Sequence, residues 1–256
     1  MVRSKTNRVS FFGAPIDPLT MQETLERVEE IIHERKPTQH VAVNVAKIVM
    51  MQKDNTLREI VNSCGLINAD GQGVVWGADL LGVKIPERVA GIDLFTNIVN
   101  MASARGYKLY LLGAHDEVVD MVIATFKAKY SELQVVGKRN GYFSEDEEGK
   151  VVEDVRNSNA DILFVAMNSP KKEIFLNKYV DYMGVPFVMG VGGSFDVIAG
   201  VTKRAPVWMQ NNGLEWFFRF LCEPKKMWRR YLVTNSIFLG MIFKAVITGK
   251  KRATMP

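Results

Sequence analysis

Residues 160–193 read ADILFVAMNSPKKEIFLNKYVDYMGVPFVMGVGG. The runs ADILFVAM and VPFVMGVGG are apolar and too short for buried helices, so they read as strands. Between them, PKKEIFLNKYVDYMG has helical length. Pro170 stands at its start, where a missing N–H costs nothing. Strand, helix and strand in succession predict parallel strands joined by a helical crossover.

The same alternation extends outward through the body. DPLTMQETLERVEEIIHER is a helix in which Thr20 and Glu23 have capping-box spacing, and Leu25, Val28, Ile31 and Ile32 recur at helical intervals. HVAVNVAKIVMMQKD starts as a strand near Val41–Val43 and turns into a helix. LREIVNSCGLINADG reads as a helix and then a short strand into Asp70. GVVWGADLLG and IDLFTNIVNMASARG are helices, the second ending at Gly106. YKLYLLGA is a buried strand ending at Gly113, DEVVDMVIATFKAKY a helix, LQVVGKRNGYF a strand with a loop, and KVVEDVRNSN a helix. The expected fold is α/β, a Rossmann-like layered sheet of mainly parallel strands. Ligands in such sheets gather beyond the carboxyl ends of the strands. Those ends carry Asn44, Asp70, Gly113, Asn168-Ser169-Pro170 and Gly190–Asp196. They are expected to meet in one cleft.

Composition narrows the class. The chain has 256 residues, 47% hydrophobic and 24% charged, which suits one large folded domain or a domain with a small appendage. Cys64 and Cys222 are far apart and read as two buried, reduced thiols rather than a disulfide or zinc framework. His33, His40 and His115 form no metal-binding pattern, so no metal is expected. MVRSKTNRVSFFG lacks a long apolar run, so no signal peptide is read and a cytosolic location is expected. The net charge of +5 is uneven. Residues 219–256 hold nine Lys or Arg and one Glu, a net +8, whereas residues 1–218 hold 24 basic and 27 acidic residues, a net −3. A near-neutral core over 1–218 and a basic appendage over 219–256 imply an anionic partner for the tail.

Several residues are candidates for chemistry. Gly190 to Asp196, GVGGSFD, follows an apolar strand and precedes a helix, so the amides of Gly192 and Gly193 suit either an anion or a tight turn. Asp196 suits a ligand hydroxyl or a helix cap. Arg88, in KIPERVAGIDLF, suits an oxyanion or a plain surface position. Lys171, Lys172 and Glu173 open a helix and read first as a solvated charged face. No D-x-D occurs, so cations and backbone amides are favoured over a divalent metal for neutralising a diphosphate. Asp70-Gly71 is a turn signal that could also present a carboxylate.

Drawn as a helix, the tail places Ser236, Gly240, Lys244 and Thr248 on one narrow weakly polar stripe, with aliphatic and aromatic residues elsewhere. Asn235, Ser236 and Lys244 argue against a simple membrane crossing. An interfacial helix with Trp and Arg anchors fits the pattern better. The alternative is a helix that covers the domain or forms an oligomer interface, so a homo-oligomer stays open. Nucleic acid is not expected, because the cations alternate with a long aliphatic run.

The segments VNVAKIV, NADGQGVVWGADLLG, ERVAGIDLF, YLLGA, GYF, MNSPKKE, GVGGSFDVIAG and KRAPVWMQNNGLEWFFRFLCEPKKMWRRY together resemble the WecG/TagA/CpsF glycosyltransferases over nearly the full length. The resemblance implies a metal-independent, inverting transferase without a cofactor, at the cytoplasmic face of the membrane. Such an enzyme moves a sugar from a UDP-sugar donor, often N-acetylmannosamine, to a polyprenyl-diphosphate-linked acceptor in cell-surface polysaccharide synthesis. It also implies Asp70 as the base that deprotonates the acceptor hydroxyl during direct displacement. Asn44, Gly71, Arg88, Gly91, Asp93, Gly113, Lys172, Gly192, Gly193 and Asp196 are then expected around the donor. Arg219, Lys226, Arg229 and Arg230 are expected at the acceptor diphosphate or the membrane. Two positions depart from the family pattern: Ala42 replaces a usual Thr, and Lys172 a usual Gln. Two rival readings are a nicotinamide-dependent oxidoreductase, weakened by the missing G-x-G-x-x-G, and a non-catalytic membrane-bound scaffold.

Overall fold

The structure, a computed structural model, describes residues 8–228 and 232–249. The chain opens with strands β1 (Val9–Phe11) and β2 (Ala14–Ile16), then helix α1 (Met21–Glu34) and β3 (Thr38–Val43). Next come α2 (Val45–Met51), α3 (Asn55–Ser63), β4 (Leu66–Ala69), α4 (Gln72–Leu80), α5 (Gly91–Arg105) and β5 (Lys108–Gly113). They are followed by α6 (Asp116–Lys129), β6 (Gln134–Arg139), α7 (Glu148–Asn157), β7 (Ile162–Ala166), α8 (Lys171–Met183) and β8 (Phe187–Gly190). Helices α9 (Ser194–Ile198), α10 (Val207–Asn211), α11 (Glu215–Cys222), α12 (Pro224–Trp228) and α13 (Thr234–Thr248) close the described chain.

Six strands form one sheet in the order β4-β3-β8-β7-β5-β6, and every pairing in it is parallel. The layered α/β expectation holds, and all six strands read from the sequence are present. Thr20 caps α1 and forms the capping box with Glu23. Gly106 ends α5 in the left-handed conformation, as expected.

Apolar side chains on one sheet face pack with α1, α5, α6 and α9; Leu111, Phe164 and Met189 lie there with Phe95 and Phe195. The other face carries α2, α3, α7 and α8, with Val41 and Ile67 in one cluster and Leu163 and Val188 in another. Neighbouring strands β3 and β8 therefore send their chains to opposite faces, β3 into α2 and β8 into α9. That divergence opens a crevice at their carboxyl ends, where ligands bind in open α/β sheets.

The β1–β2 hairpin was not read from the sequence. Its two-residue turn places both Phe12 and Gly13 at positive φ, the twist that suits a tight hairpin. The hairpin supports the C-terminal helix: the rings of Phe11 and Phe12 lie 6.2 and 6.1 Å from that of Phe238 on α13. Helix α4 passes just as close. A Cβ on Gly77 would come within 2.9 Å of the Phe238 ring and 3.0 Å of Ile242, so only glycine fits that crossing. One stripe of α13, Phe238, Ile242 and Ala245, is buried in this way. The covering-helix alternative thus describes one side of the tail. Leu239, Phe243, Val246 and Ile247 are exposed on the other. Ser236, Gly240, Lys244 and Thr248 are all exposed as well. No helix among the described residues is long and apolar enough to cross a membrane.

One cysteine reading is corrected. Cys64 is buried, and burial pushes its thiol up to about 12. Cys222 is exposed on α11, whose short amphipathic turn leaves it on the outer side.

Candidate active site

All six parallel strands end on one edge, so Asp70, Asn44, Gly192, Asn168 and Gly113 share the carboxyl side of the sheet, as expected. Asp70 directly follows β4, and its amide donates to the Val43 carbonyl at 2.8 Å. Gly71 then takes φ +133°, a backbone that glycine alone adopts readily. The Asp-Gly turn and the presented carboxylate are the same feature. Asp70 Oδ1 accepts from the Gly91 amide at 3.3 Å, at the first turn of α5. A Cβ on Gly91 would lie 3.7 Å from Asp70 Oδ2 and 4.0 Å from Ala42 Cβ. Ala42 and the Asp70 carboxylate therefore both border Gly91. Burial raises the Asp70 pKa, and Glu215 adds to the rise; the Gly91 amide, Arg88 and Lys47 oppose it.

Asn44 caps α2, its Oδ1 accepting from the Lys47 amide at 3.0 Å. Its Cβ is 3.6 Å from where a Gly71 Cβ would be, so Asn44 adjoins the Asp70 turn. Across the crevice, Gly192 has φ +54° with open space around its Cα, and Gly193 starts the short helix α9. Asp196 faces Gly193, 3.8 Å from its Cβ position. Gly113 is demanded by packing: a Cβ there would lie 2.4 Å from the Ala166 carbonyl oxygen.

The charged face read at the start of α8 is corrected in part. Glu173 is only 2% exposed and binds Lys47 Nζ at 2.7 Å, a lysine equally enclosed. Both Glu173 oxygens also accept from Ser169 Oγ, at 2.7 and 2.8 Å. Lys172 Nζ lies 2.7 Å from Ser169 Oγ and 2.8 Å from Glu173, with its stem packed over Gly190. Two lysines around one carboxylate leave a net positive charge at the crevice wall. Burial works to raise the Glu173 pKa, but Lys47 and Lys172 outweigh it and hold the carboxyl at about 2.

A second charge network includes Arg88 and Glu215, both of which act on the Asp70 carboxyl. Arg88 Nη1 donates to Glu215 Oε2 at 3.0 Å. Arg204 Nε donates to Glu215 Oε1 at 3.2 Å, while its two terminal nitrogens hold both Asp93 oxygens at 2.7 and 2.8 Å. Arg88 and Asp93 are thus joined through Glu215 and Arg204, two partners from later in the chain. Arg219 is exposed on α11, one turn beyond Glu215. Arg229 and Arg230 lie outside the described residues, as does the Lys226 side chain.

Sequence reasoning assigned no role to Lys47, Arg204, Glu215, His115 or Tyr142. His115 and Tyr142 stack at the carboxyl ends of β5 and β6, with ring centroids 4.1 Å apart and 19° between planes. The available signals were a lysine inside the apolar run VAKIV, the arginine preceding APVW and the acid inside GLEW.

Comparison with known proteins adds an independent line. The model of the glycosyl transferase WecG/TagA/CpsF family matches residues 9–252. A Bacillus subtilis (strain 168) protein is 32% identical over 180 residues, which is 70% of this chain and 69% of that protein. It is named N-acetylglucosaminyldiphosphoundecaprenol N-acetyl-beta-D-mannosaminyltransferase.

Proposed function

This chain belongs to the WecG/TagA/CpsF family of glycosyltransferases, and from that premise we propose that it moves a sugar from a UDP-sugar to a polyprenyl-diphosphate-linked acceptor, with inversion. The donated sugar is N-acetylmannosamine, its uronate or a related hexose. Membership in a transferase family displaces the oxidoreductase and scaffold readings.

The observation that carries the reading is Asp70, a partly enclosed carboxylate at a strand's carboxyl end, bonded to the Gly91 amide and acted on by Arg88, Glu215 and Lys47. Enclosure raises its pKa toward the range where a carboxylate works well as a base. In the proposed reaction the acceptor hydroxyl attacks the anomeric carbon, Asp70 takes its proton, and the bond to UDP breaks. Lys172, Arg88 and the Gly192–Gly193 amides offset the charge left on UDP. Asn44, Gly71, Gly91 and Asp93 frame the sugar end, while Gly113 and Asp196 line the nucleotide side. The His115–Tyr142 stack gives the uracil ring a flat platform at the far end of the same edge. The tail over 219–256 brings Arg219, Lys226, Arg229 and Arg230 to the anionic membrane surface and the acceptor diphosphate.

A panel of UDP-sugars with a lipid-diphosphate-linked N-acetylglucosamine acceptor, read by mass spectrometry, tests this reading. One added sugar from at least one donor is expected; no transfer from any of them contradicts it. The same panel run on Lys172→Gln tests the donor pocket. Loss of a preference for uronate over neutral donors is expected, and an unchanged preference removes Lys172 from donor selection.

A further inference from the structure

Glu215 begins α11 and Arg204 precedes α10, yet both reach the loop that carries Arg88 and the first turn of α5. That loop is also tied to the Asp70 strand: Val89 donates to the Ala69 carbonyl at 2.9 Å, and Gly91 to Asp70 itself. Residues 88–93 are therefore held from two sides, by the end of β4 and by the C-terminal region. The Arg204 guanidinium bridges two carboxylates, a geometry its fork of donors suits and a lysine cannot reproduce. Arg88 and Glu215 are both largely shielded, with 16% and 26% of their side chains exposed, so their charges act through little water.

We propose that Arg204 and Glu215 are positioning residues of the transfer site: with Arg88 and Asp93 they form a charge ladder that locks the C-terminal helices to the Asp70 loop and sets the charge around that carboxylate. The ladder alternates two cations with two anions and is neutral as a whole. Removing either member unbalances it beside Asp70, in opposite senses. Of the ladder, Arg88 and Glu215 act on Asp70 directly, and Arg204 acts through the Glu215 carboxylate it binds; the other groups acting on Asp70 are Lys47 from α2 and the Gly91 amide from α5. Neither is altered by a change at Arg204 or Glu215. The catalytic consequence rests on the reading of Asp70 as the base.

The test uses the full chain and two readouts. The first is the titration of the Asp70 carboxyl by carbon NMR, its resonance assigned by its loss in Asp70→Asn. Glu215→Gln removes a negative charge and is expected to move the midpoint down. Arg204→Gln removes a positive charge and is expected to move it up, each by about 0.5 in pH or more. The double variant restores neutrality and is expected to return the midpoint toward wild type. Shifts in the same direction, or none, overturn the proposal. The second readout is the pH profile of sugar transfer. Its acid limb is expected to follow the same opposite shifts. Arg204→Lys keeps the charge but not the fork, so it is expected to lower kcat/KM about tenfold with the limb in place. A simple loss of structure would lower activity in all variants without opposite limbs. If the NMR midpoints shift as expected while Asp70→Asn still turns over, the base assignment has failed and the ladder has not.

Discussion

Asp70 and Glu173 are both enclosed carboxylates at the rim of one crevice, and their surroundings push them apart. Around Asp70 burial, with Glu215, outweighs the Gly91 amide, Arg88 and Lys47, and its pKa rises. Glu173 has two lysines close by, and its pKa falls to about 2. The first is poised to take a proton, the second to stay charged and hold the wall. Lys47→Met removes the buried partner while Glu173 keeps Lys172 and Ser169, so it is expected to cost about 1–3 kcal/mol in denaturant unfolding. A cost below about 1 kcal/mol would show that the pair contributes little. A depressed carboxylate contributes stability that is present above its unfolded pKa, near 4.5, and lost as pH falls toward 2. The fall in stability between pH 4.5 and 2 is accordingly expected to be shallower in Glu173→Gln. His40 behaves as a buried neutral imidazole: burial, aided by Lys47, lowers it to about 4 despite its contact with Asn68. Its stabilising effect is lost as pH falls from 6.5 through 4, and an NMR midpoint near 6.5 would contradict this. The sequence alone showed Asp70 as a turn residue at a strand end. It did not show the Lys47–Glu173 pair, because the partners stand 126 residues apart and each looks like an ordinary surface charge.

At the scale of elements, α13 has one buried stripe and one exposed apolar strip. Its inner stripe seals the cluster formed by the hairpin, α2 and α4. Ile242→Ala is expected to destabilise the fold by about 2–4 kcal/mol, read by denaturant unfolding. Its outer strip exposes Leu239, Phe243, Val246 and Ile247. The paired change Leu239→Ser and Phe243→Ser is expected to leave unfolding unchanged while reducing sedimentation with anionic liposomes. Undiminished sedimentation would remove this strip from membrane contact. Periodicity made the long helices and the six sheet strands legible, since each pairs a clear apolar pattern with a cap or glycine. The β1–β2 hairpin escaped because its strands have three residues each and its turn puts Phe12, not Asn or Asp, at positive φ. The inward stripe of α13 escaped because an aliphatic helix presents several plausible faces until its neighbour is known.

At the scale of the molecule, strand order decides which residues meet. Sequence placed Asn44, Asp70 and Gly192 at strand ends. The order β4-β3-β8 makes them neighbours across one crevice. The contacts of Arg204 and Glu215 with residues 88–93 tie the start of α11, the helix that runs into the tail, to that crevice, so substrate site and tail act together in the proposed reaction. Removal of residues 219–256 is expected to abolish both activity and liposome binding. It also strips Phe238 and Ile242 from the core, which makes the surface variants the cleaner probe of the membrane role. The proposed chemistry turns on one carboxylate, Asp70. The most direct measurement is turnover of Asp70→Asn beside its affinity for UDP. Turnover is expected to fall at least about a hundredfold, with UDP binding retained. Near-normal turnover would contradict Asp70 as the base.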